Sequence, residues 1–249
     1  MPRVVLLSPH LDDAAFSCGG LAARLAAAGF DVALYTIFTA SIAEPRGFAL
    51  ECQTSKGIDA SVDYMKLRRL EDAAAALHLG CTEVQWRGLP EAPHRGYETA
   101  EMLFEPPLAS DQPYAVNCEM ITLLRQRFDL ILAPQCWGRH VDHVQLVDSL
   151  MRYSKFDMPL GYWEDMPYIL RDGAVGPPKR IARGLPKREM TFPIESTLAT
   201  KLDACAAYAS QLGFQFGSEE AMRAQLSQPF ERLRVSYPAE RLLRPFRDG

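Results

Sequence analysis

The chain has 249 residues, of which 48% are apolar and 23% are charged, and its formal net charge is −4. This composition is typical of an ordinary globular protein, and it excludes a disordered or fibrous chain. The length is sufficient for one large domain with a substantial core. Because the small net charge is negative, the composition does not indicate a nucleic-acid partner.

Three features of the sequence predict a cytoplasmic location. Only four apolar residues, Val4 to Leu7, separate Arg3 from Ser8, whereas a secretory signal needs a longer apolar segment and a cleavage site. We find no apolar stretch near the length of about 20 residues that a membrane span requires. The six cysteines are scattered without a Cys-x-x-Cys pair, which predicts reduced and mostly buried thiols.

The first part of the chain alternates between strand-like and helix-like segments. In chain order, the patterns predict a strand at 3–8, a helix at 14–28, a strand at 31–38, a loop at 39–60, a helix at 62–79, a strand at 83–87, a helix at 117–127 and a strand at 129–133. The strands are largely continuous apolar runs, as in strands buried on both faces. This alternation predicts an α/β, Rossmann-like fold, with a mostly parallel sheet and helices on both faces.

Beyond residue 155 the alternation weakens, and the clearest element is a predicted helix at 196–212. We therefore predict a single domain over 1–249, with a core of about 1–155 and a C-terminal elaboration of about 156–249. Within this elaboration, five basic residues follow one another without an acid: Lys179, Arg180, Arg183, Lys187 and Arg188. A solvated hairpin is the simplest interpretation of this basic segment, and steering of an anionic substrate is the alternative.

Two short polar sequences follow predicted strands. Ser8-Pro9-His10-Leu11-Asp12-Asp13 ends the first strand, and Gly138-Arg139-His140-Val141-Asp142-His143 follows the fourth. Sites in open parallel sheets form at the carboxyl ends of the strands, so both sequences are expected at one edge. Because His10 and Asp13 are three residues apart across a strand-to-helix turn, their side chains can point at one centre. His140 and His143 have the same spacing.

Two histidines and a carboxylate with an open fourth position are typical of a catalytic zinc site. A further carboxylate then accepts a proton from water, and a further histidine stabilises an oxyanion. Each sequence also has a structural interpretation, since Asp residues after strands are often helix caps. Their occurrence together favours a metal site over the structural interpretation.

A dinucleotide site is not indicated, because the first turn lacks Gly-x-Gly-x-x-Gly. The pair Gly19-Gly20 lies inside the predicted helix, where close packing is the better explanation.

These sequences resemble a known enzyme family. The segment SPHLDDAAFSCGG at 8–20 resembles the A/S-H-P-D-D-E…GG signature of the LmbE-like, or PIG-L-type, zinc-dependent N-deacetylases, and GRHVDH at 138–143 resembles their H-x-D-H motif. Arg68-x-x-Glu71, with the alanine run and Leu79-Gly80 that follow, resembles a family helix. Residues 162–168 are similar to an aromatic and acidic stretch of several bacterial members. The similarity extends from residue 4 to about 168 and is weaker around 201–212.

The resemblance implies a role for each matching residue. The implied zinc ligands are His10, Asp13 and His143, the implied general base is Asp12, the implied oxyanion-stabilising group is His140, and the implied substrate contacts are Arg68 and Glu91. Asp142 is expected to orient a ligand histidine through its other ring nitrogen. The alternative for Arg68 is an i,i+3 ion pair with Glu71 on an exposed helix face.

The sequence departs from the family pattern at two positions. Leu11 replaces a proline, which is expected to affect only loop geometry. Ala14 replaces a frequent glutamate and so removes a carboxylate near the site, which leaves its hydrogen bonding and the substrate subgroup undetermined. Neither change removes an implied ligand or the implied base.

The function favoured by the sequence is a zinc-dependent hydrolase that removes the N-acetyl group from an amino-sugar conjugate of the GlcNAc type. Zn²⁺, one ion per chain, is the expected cofactor, and a small-molecule conjugate is the expected partner. One alternative is a metal-dependent amidase for another N-acyl conjugate. The other is a non-catalytic sugar- or nucleotide-binding module with a degenerate site, which would predict the loss of a ligand or base. The sequence does not predict the oligomeric state.

Overall fold

The fold is described from a computed structural model over residues 1–155 and 157–247. Within these ranges one sheet has seven strands in the order β3-β2-β1-β4-β5-β7-β6. The strands are β1 (Arg3–Ser8), β2 (Asp31–Thr36), β3 (Thr82–Gln85), β4 (Leu130–Pro134), β5 (Leu160–Trp163), β6 (Arg188–Pro193) and β7 (Phe230–Val235). Strands β1 to β5 are parallel, and β7 is antiparallel to both β5 and β6. The predicted mostly parallel sheet is confirmed.

Ten α-helices lie between and after the strands in the described ranges. They are α1 (Asp13–Ala27), α2 (Gly47–Thr54), α3 (Tyr64–Leu79), α4 (Tyr114–Leu124), α5 (Val141–Tyr153), α6 (Lys179–Gly184), α7 (Leu198–Ala206), α8 (Ala209–Phe216), α9 (Glu219–Gln225) and α10 (Tyr237–Leu243). None of these helices has the length and apolar character needed to cross a membrane.

The two faces of the sheet support two separate cores. Val4 and Leu6 of β1 pack with residues of α1, α3 and α7. Val5 and Leu7 pack with residues of α4 and α5. Because successive side chains of a strand point to opposite faces, a continuous apolar run is what a strand covered by helices on both sides requires.

The structure differs from the sequence predictions in four places. The predicted loop 39–60 contains the short helix α2, and the predicted helix 196–212 is two helices, α7 and α8. The C-terminal region contributes β5, β6 and β7 to the same sheet as β1. The basic segment is not a hairpin, since it forms helix α6 and the start of β6.

The C-terminal region packs closely on α1. A Cβ atom on Gly20 would lie 2.6–2.9 Å from side-chain atoms of Ile194, which confirms that close packing explains this glycine. The buried carboxylate of Glu231 accepts hydrogen bonds from the backbone N–H groups of Gly20 (2.9 Å) and Leu21 (2.8 Å). The same carboxylate lies 2.8 Å from Nζ of the buried Lys201. These contacts join α1, α7 and β7.

The strand order places a crevice between β1 and β4. From β1 the chain continues to β2 on one side, whereas β4 lies on the other side. In such sheets the point where the order reverses leaves a crevice outside the carboxyl ends of the strands. The two polar sequences that follow β1 and β4 therefore meet there.

Candidate metal-dependent active site

The turn after β1 is held by its own side chains. Asp13 is the first residue of α1, and its Oδ2 accepts a hydrogen bond from the backbone N–H of His10 at 2.9 Å. The same oxygen lies 3.1 Å from His10 Nδ1. Ser8 Oγ accepts from the backbone N–H of Ala14 and donates to the carbonyl of His10. This network places the side chains of His10 and Asp13 on one side of the turn.

The loop after β4 turns sharply before α5 begins. Cys136, Gly138 and Arg139 have φ values of 69°, 79° and 64°, and such left-handed conformations are uncommon for residues other than glycine. A Cβ atom on Gly138 would lie 2.5 Å from the ring of Tyr168, so only glycine fits there. His140 then caps α5, because its Nδ1 accepts from the backbone N–H of Asp142 at 3.2 Å. That contact leaves the neutral imidazole with its proton on Nε2.

His10, Asp13 and His143 converge on one point. Asp13 Oδ2 lies 3.1 Å from His10 Nδ1 and 3.2 Å from His143 Nε2. A tetrahedral site with metal–ligand bonds of about 2.0–2.1 Å has edges of about 3.3–3.4 Å. Among the described residues, the buried His143 Nε2 has no hydrogen-bond partner, as expected of an atom that binds a metal. These three side chains therefore fit a divalent cation.

A second carboxylate orients each of these histidines. His10 Nε2 donates to Asp142 Oδ2 at 2.8 Å, and His143 Nδ1 donates to Asp165 Oδ1 at 2.7 Å. Each contact fixes the tautomer, so that the lone pairs of His10 Nδ1 and His143 Nε2 face Asp13. The contact expected for Asp142 is present. Asp165 was not singled out from the sequence, although it lies in the acidic stretch 162–168 that resembles the family.

The three converging side chains shift one another's pKa values. Burial lowers the pKa of His143, but the carboxylates of Asp13 and Asp165 outweigh burial and raise it to about 9. Burial likewise opposes the charged form of His10, yet Asp13 and Asp142 raise its pKa well above the usual range. Burial raises the pKa of Asp13, and the two histidines reverse this and lower it well below its usual range. The cluster stabilises positive charge, which a bound cation would supply in place of protons.

Asp12 lies beside this cluster in a different environment. Burial and the negative charge of Asp13 raise the pKa of Asp12 to about 8, although the positive charges of Arg68 and His10 oppose the shift. Asp12 Oδ2 lies 3.6 Å from Arg68 Nη2. A cation held by the neighbouring ligands would lower this pKa, because it favours the carboxylate.

Arg68 and Glu91 face the site as a pair. Arg68 is buried, and its Nη1 donates to Glu91 Oε1 while its Nη2 donates to the carbonyl of Leu11 at 3.3 Å. The alternative of an exposed ion pair with Glu71 is wrong, since Glu71 instead accepts hydrogen bonds from the backbone N–H and hydroxyl of Ser210. Arg68 thus connects Asp12 and Glu91.

A cavity of about 370 Å³ opens above these residues. The polar residues that line it include His10, Asp12, Asp13, Arg68, Glu91 and His140. The apolar and aromatic residues that line it include Phe48, Tyr64, Leu103, Phe104, Tyr168 and Phe214. The volume and the mixture of apolar walls with few convergent polar groups are typical of a small-molecule site.

Comparison with known proteins identifies the family. Residues 5–153 match the PIG-L family, which is described as GlcNAc-PI de-N-acetylase. A 2'-N-acetylparomamine deacetylase from Streptomyces fradiae is 34% identical over 190 residues, which is 74% of this chain and 64% of that protein. The chain thus spans less than two thirds of the length of this curated relative. It belongs to the PIG-L family, and the resemblance carried by its motifs is confirmed.

Solved structures confirm the fold. The zinc-inhibited form of teicoplanin deacetylase Orf2 matches with a TM-score of 0.76 at 23% identity, covering 94% of this chain and 97% of that chain. The A40926 pseudoaglycone deacetylase Dbv21 matches with a TM-score of 0.76 at 25% identity, covering 94% and 96%. An N,N'-diacetylchitobiose deacetylase from Pyrococcus horikoshii matches with a TM-score of 0.60 at 15% identity, covering 96% and 85%.

Proposed function

We propose that this protein is a metal-dependent N-deacetylase that removes the acetyl group from an N-acetylated amino sugar of the GlcNAc type within a larger conjugate. The observation that carries the proposal is the convergence of His10, Asp13 and His143 next to a cavity that is lined by His10 and Asp13 together with Asp12 and His140. Membership of the PIG-L family and the similarity to a 2'-N-acetylparomamine deacetylase support an amino-sugar substrate.

His10, Asp13 and His143 would hold the divalent cation, which we propose is zinc, at one ion per chain. A cation there supplies Lewis-acid chemistry, since it makes water more acidic and an amide carbonyl more electrophilic. Asp142 and Asp165 keep the two imidazoles in the tautomers that present a lone pair.

The remaining residues account for the proton transfers of hydrolysis. Asp12 accepts a proton from the attacking water and passes it to the amine as the carbon–nitrogen bond breaks, so that water and amide give acetate and amine. His140 donates a hydrogen bond from Nε2–H to the oxygen that becomes negatively charged on the acetyl carbon. Burial and the nearby positive charge of His10 lower the pKa of His140 well below its usual range, so this imidazole is a neutral donor.

Arg68 and Glu91 are proposed to contact the sugar. Both line the cavity next to Asp12, and their mutual ion pair fixes their orientation. A carboxylate and a guanidinium side by side offer an acceptor and several donors to sugar hydroxyls.

The degenerate-module alternative is not favoured, because the implied ligands and base lie together in the structure. The amidase alternative keeps the same centre and differs only in the conjugate. An assay of released acetate separates the two. Purified protein would be tested on N-acetylglucosaminides with different aglycones, on an N-acetylated aminoglycoside and on unrelated N-acyl amides, with the impaired variant Asp12→Asn as the control.

Metal removal tests the other half of the proposal. We expect chelation to abolish acetate release and stoichiometric zinc, about one ion per chain, to restore it. Because a solved relative is described as a zinc-inhibited form, the zinc titration would continue to excess and be repeated with cobalt and nickel. Full activity in a metal-free preparation would contradict the proposed mechanism.

A further inference from the structure

A buried polar cluster whose residues do not line the cavity contacts the proposed metal ligand His10. It joins Arg95 and Asp111, which precede α4, to Asp142 and Gln145 of α5. The side chains of Arg95, Asp111 and Asp142 are 9%, 6% and 0% exposed. Two buried carboxylates of this kind need a buried cation and several hydrogen bonds to remain charged.

Asp111 fixes the guanidinium of Arg95. Arg95 Nε donates to Asp111 Oδ1 at 3.1 Å and Nη2 donates to Asp111 Oδ2 at 2.9 Å, which is the two-point geometry that arginine forms with a carboxylate. Asp111 Oδ2 also accepts from Tyr97 Oη at 2.9 Å and Gln145 Nε2 at 2.7 Å. Arg95 therefore has little freedom to move.

Arg95 in turn fixes Asp142. Its Nη2 donates to Asp142 Oδ1 at 2.6 Å. The other oxygen, Oδ2, accepts from His10 Nε2 at 2.8 Å and from the backbone N–H of Ala92 at 3.1 Å. Arg95 thus holds one oxygen of the Asp142 carboxylate while the other oxygen orients His10.

The same guanidinium holds the loop that carries Glu91. Arg95 Nη1 donates to the carbonyl of Pro90 at 2.7 Å, directly before Glu91. Ala92, the next residue, contacts Asp142 through its backbone. One side chain therefore contacts both the segment that lines the cavity and the carboxylate behind a proposed ligand.

We propose that Arg95 is a positioning residue that holds His10 in place for the metal through Asp142 and keeps Glu91 in register with the metal centre. This inference rests on the proposed metal-dependent function. Lysine is expected to replace Arg95 only in part, because a single ammonium group cannot contact Asp111, Asp142 and the Pro90 carbonyl with the same fixed fork.

The test measures metal binding directly. Wild type, Arg95→Lys and Arg95→Met would be loaded with Co²⁺. The affinity of each protein for Co²⁺ would be measured by competition with a chelator, and the coordination of the ion by visible absorption. Loss of an outer partner of a metal ligand typically lowers metal affinity about 10–100-fold. We expect Arg95→Met to fall in that range with an altered cobalt spectrum, and Arg95→Lys to be intermediate. We also expect KM to rise, because Glu91 loses its anchor.

Controls separate positioning from folding. Arg152 lies exposed on α5, the helix that carries Asp142, so Arg152→Met should leave cobalt affinity, spectrum and melting temperature unchanged. If Arg95→Met does not fold, Asp111→Asn decides, since it keeps the shape of the side chain while weakening its hold on Arg95. We expect Asp111→Asn to weaken cobalt binding as well.

One result would contradict the inference, and a different one would contradict the proposed function. Folded Arg95 or Asp111 variants that bind cobalt with wild-type affinity and spectrum would show that the cluster only stabilises the fold, even if their melting temperatures fall. A wild-type protein that binds no cobalt would instead contradict the proposed function itself. The two failures are therefore distinguishable.

Discussion

Asp12 and Asp13 are adjacent and chemically identical, yet they have different partners. Asp13 Oδ2 lies within 3.2 Å of nitrogen atoms of both His10 and His143. Asp12 Oδ2 lies 3.6 Å from Arg68. The pKa of Asp13 is held well below its usual range, whereas that of Asp12 is raised to about 8. A pair of acids whose pKa values are pushed apart is typical of two different roles in one site.

The two roles predict opposite responses to substitution. We expect Asp12→Asn to keep the metal and the fold but to lose about 10²–10⁴-fold in turnover, the usual range for a missing acid–base group. Asp13→Asn should instead weaken metal binding, with activity partly recovered at higher metal concentration. Metal stoichiometry and acetate release would be measured for both variants over a metal titration. Rescue of Asp12→Asn but not of Asp13→Asn would reverse the assignment.

His140 is expected to act only when charge develops on the substrate. Its Nδ1 caps α5, and it lines the cavity. His140→Ala should lower kcat about 10²–10³-fold, as loss of one oxyanion donor does, with little change in KM. Metal content should remain near one ion per chain, as checked by elemental analysis. Loss of the metal in this variant would make His140 a ligand instead.

At the scale of the element, α1 illustrates how one helix serves both the site and the packing. Its first residue, Asp13, is a proposed ligand, and its middle contacts the C-terminal region through Gly20. A helix interior normally disfavours glycine by about 1 kcal/mol relative to alanine. Two consecutive glycines at 19 and 20 therefore lower the helix propensity of α1, and the structure shows a packing requirement for the second of them.

Substitution of the two glycines by alanine is expected to change the free energy of unfolding differently. A Cβ atom on Gly20 would lie 2.6–2.9 Å from Ile194, whereas one on Gly19 would lie 3.4 Å or more from its neighbours, which is ordinary contact. We expect Gly20→Ala to lower the free energy of unfolding by about 1–2 kcal/mol, because overpacking outweighs the gain in helix propensity. Gly19→Ala should be neutral or stabilising by up to about 1 kcal/mol.

Urea unfolding of both variants measures this difference. Gly20→Ala combined with Ile194→Ala tests the cause, since removal of the clashing side chain should make the glycine substitution less costly. Equal effects of the two single substitutions would contradict the packing argument.

At the scale of the molecule, the C-terminal helices support the cavity from outside the family-matched residues 5–153. Gln211 of α8 donates to the hydroxyl of Tyr64, which lines the cavity, at 2.7 Å. Tyr208 donates to Asp72 of α3 at 2.8 Å, and Asp72 also accepts from Thr36 of β2 at 3.2 Å. These contacts join α3, the sheet and the C-terminal region, which also lines the cavity through Gln211 and Phe214.

Asp72 makes this junction sensitive to pH. Burial raises the pKa of Asp72 to about 6, against the hydrogen bonds that favour its charged form. The folded protein therefore binds this proton more tightly than the unfolded chain does, so its stability falls as the pH rises from about 4 to 6. A shift of this size corresponds to about 3 kcal/mol.

Asp72→Asn removes this titration and keeps an oxygen for Tyr208. We expect the difference in unfolding free energy between variant and wild type to grow with pH between about 4 and 6, by up to about 3 kcal/mol. Urea unfolding at several pH values measures this difference, and titrations common to both proteins cancel. Parallel curves would show that Asp72 has no raised pKa.

The cytoplasmic location and the single domain stay predictions from the sequence.

Local sequence determined much of the first half of the fold and predicted the residues of the candidate site. Continuous apolar runs identified β1, β2 and β4, and the predicted helix that ends before Gly80 is α3, for which Gly80 is the C-terminal cap. The proposed ligands lie in two short segments at strand ends. Patterns of this kind depend on neighbours within a few residues, so they can be recognised without knowledge of the distant chain.

Only the tertiary structure decided how distant groups meet. In β7 the buried positions are Glu231, Leu233 and Val235. Because the charged Glu231 occupies a buried position, the sequence of β7 lacks the regular apolar alternation by which a strand is recognised. Its carboxylate is accommodated there by Lys201 and by the backbone of α1. The partner of His143 is Asp165, which lies 22 residues away after β5. Such pairs have no local signal, since strand order and helix packing bring them together.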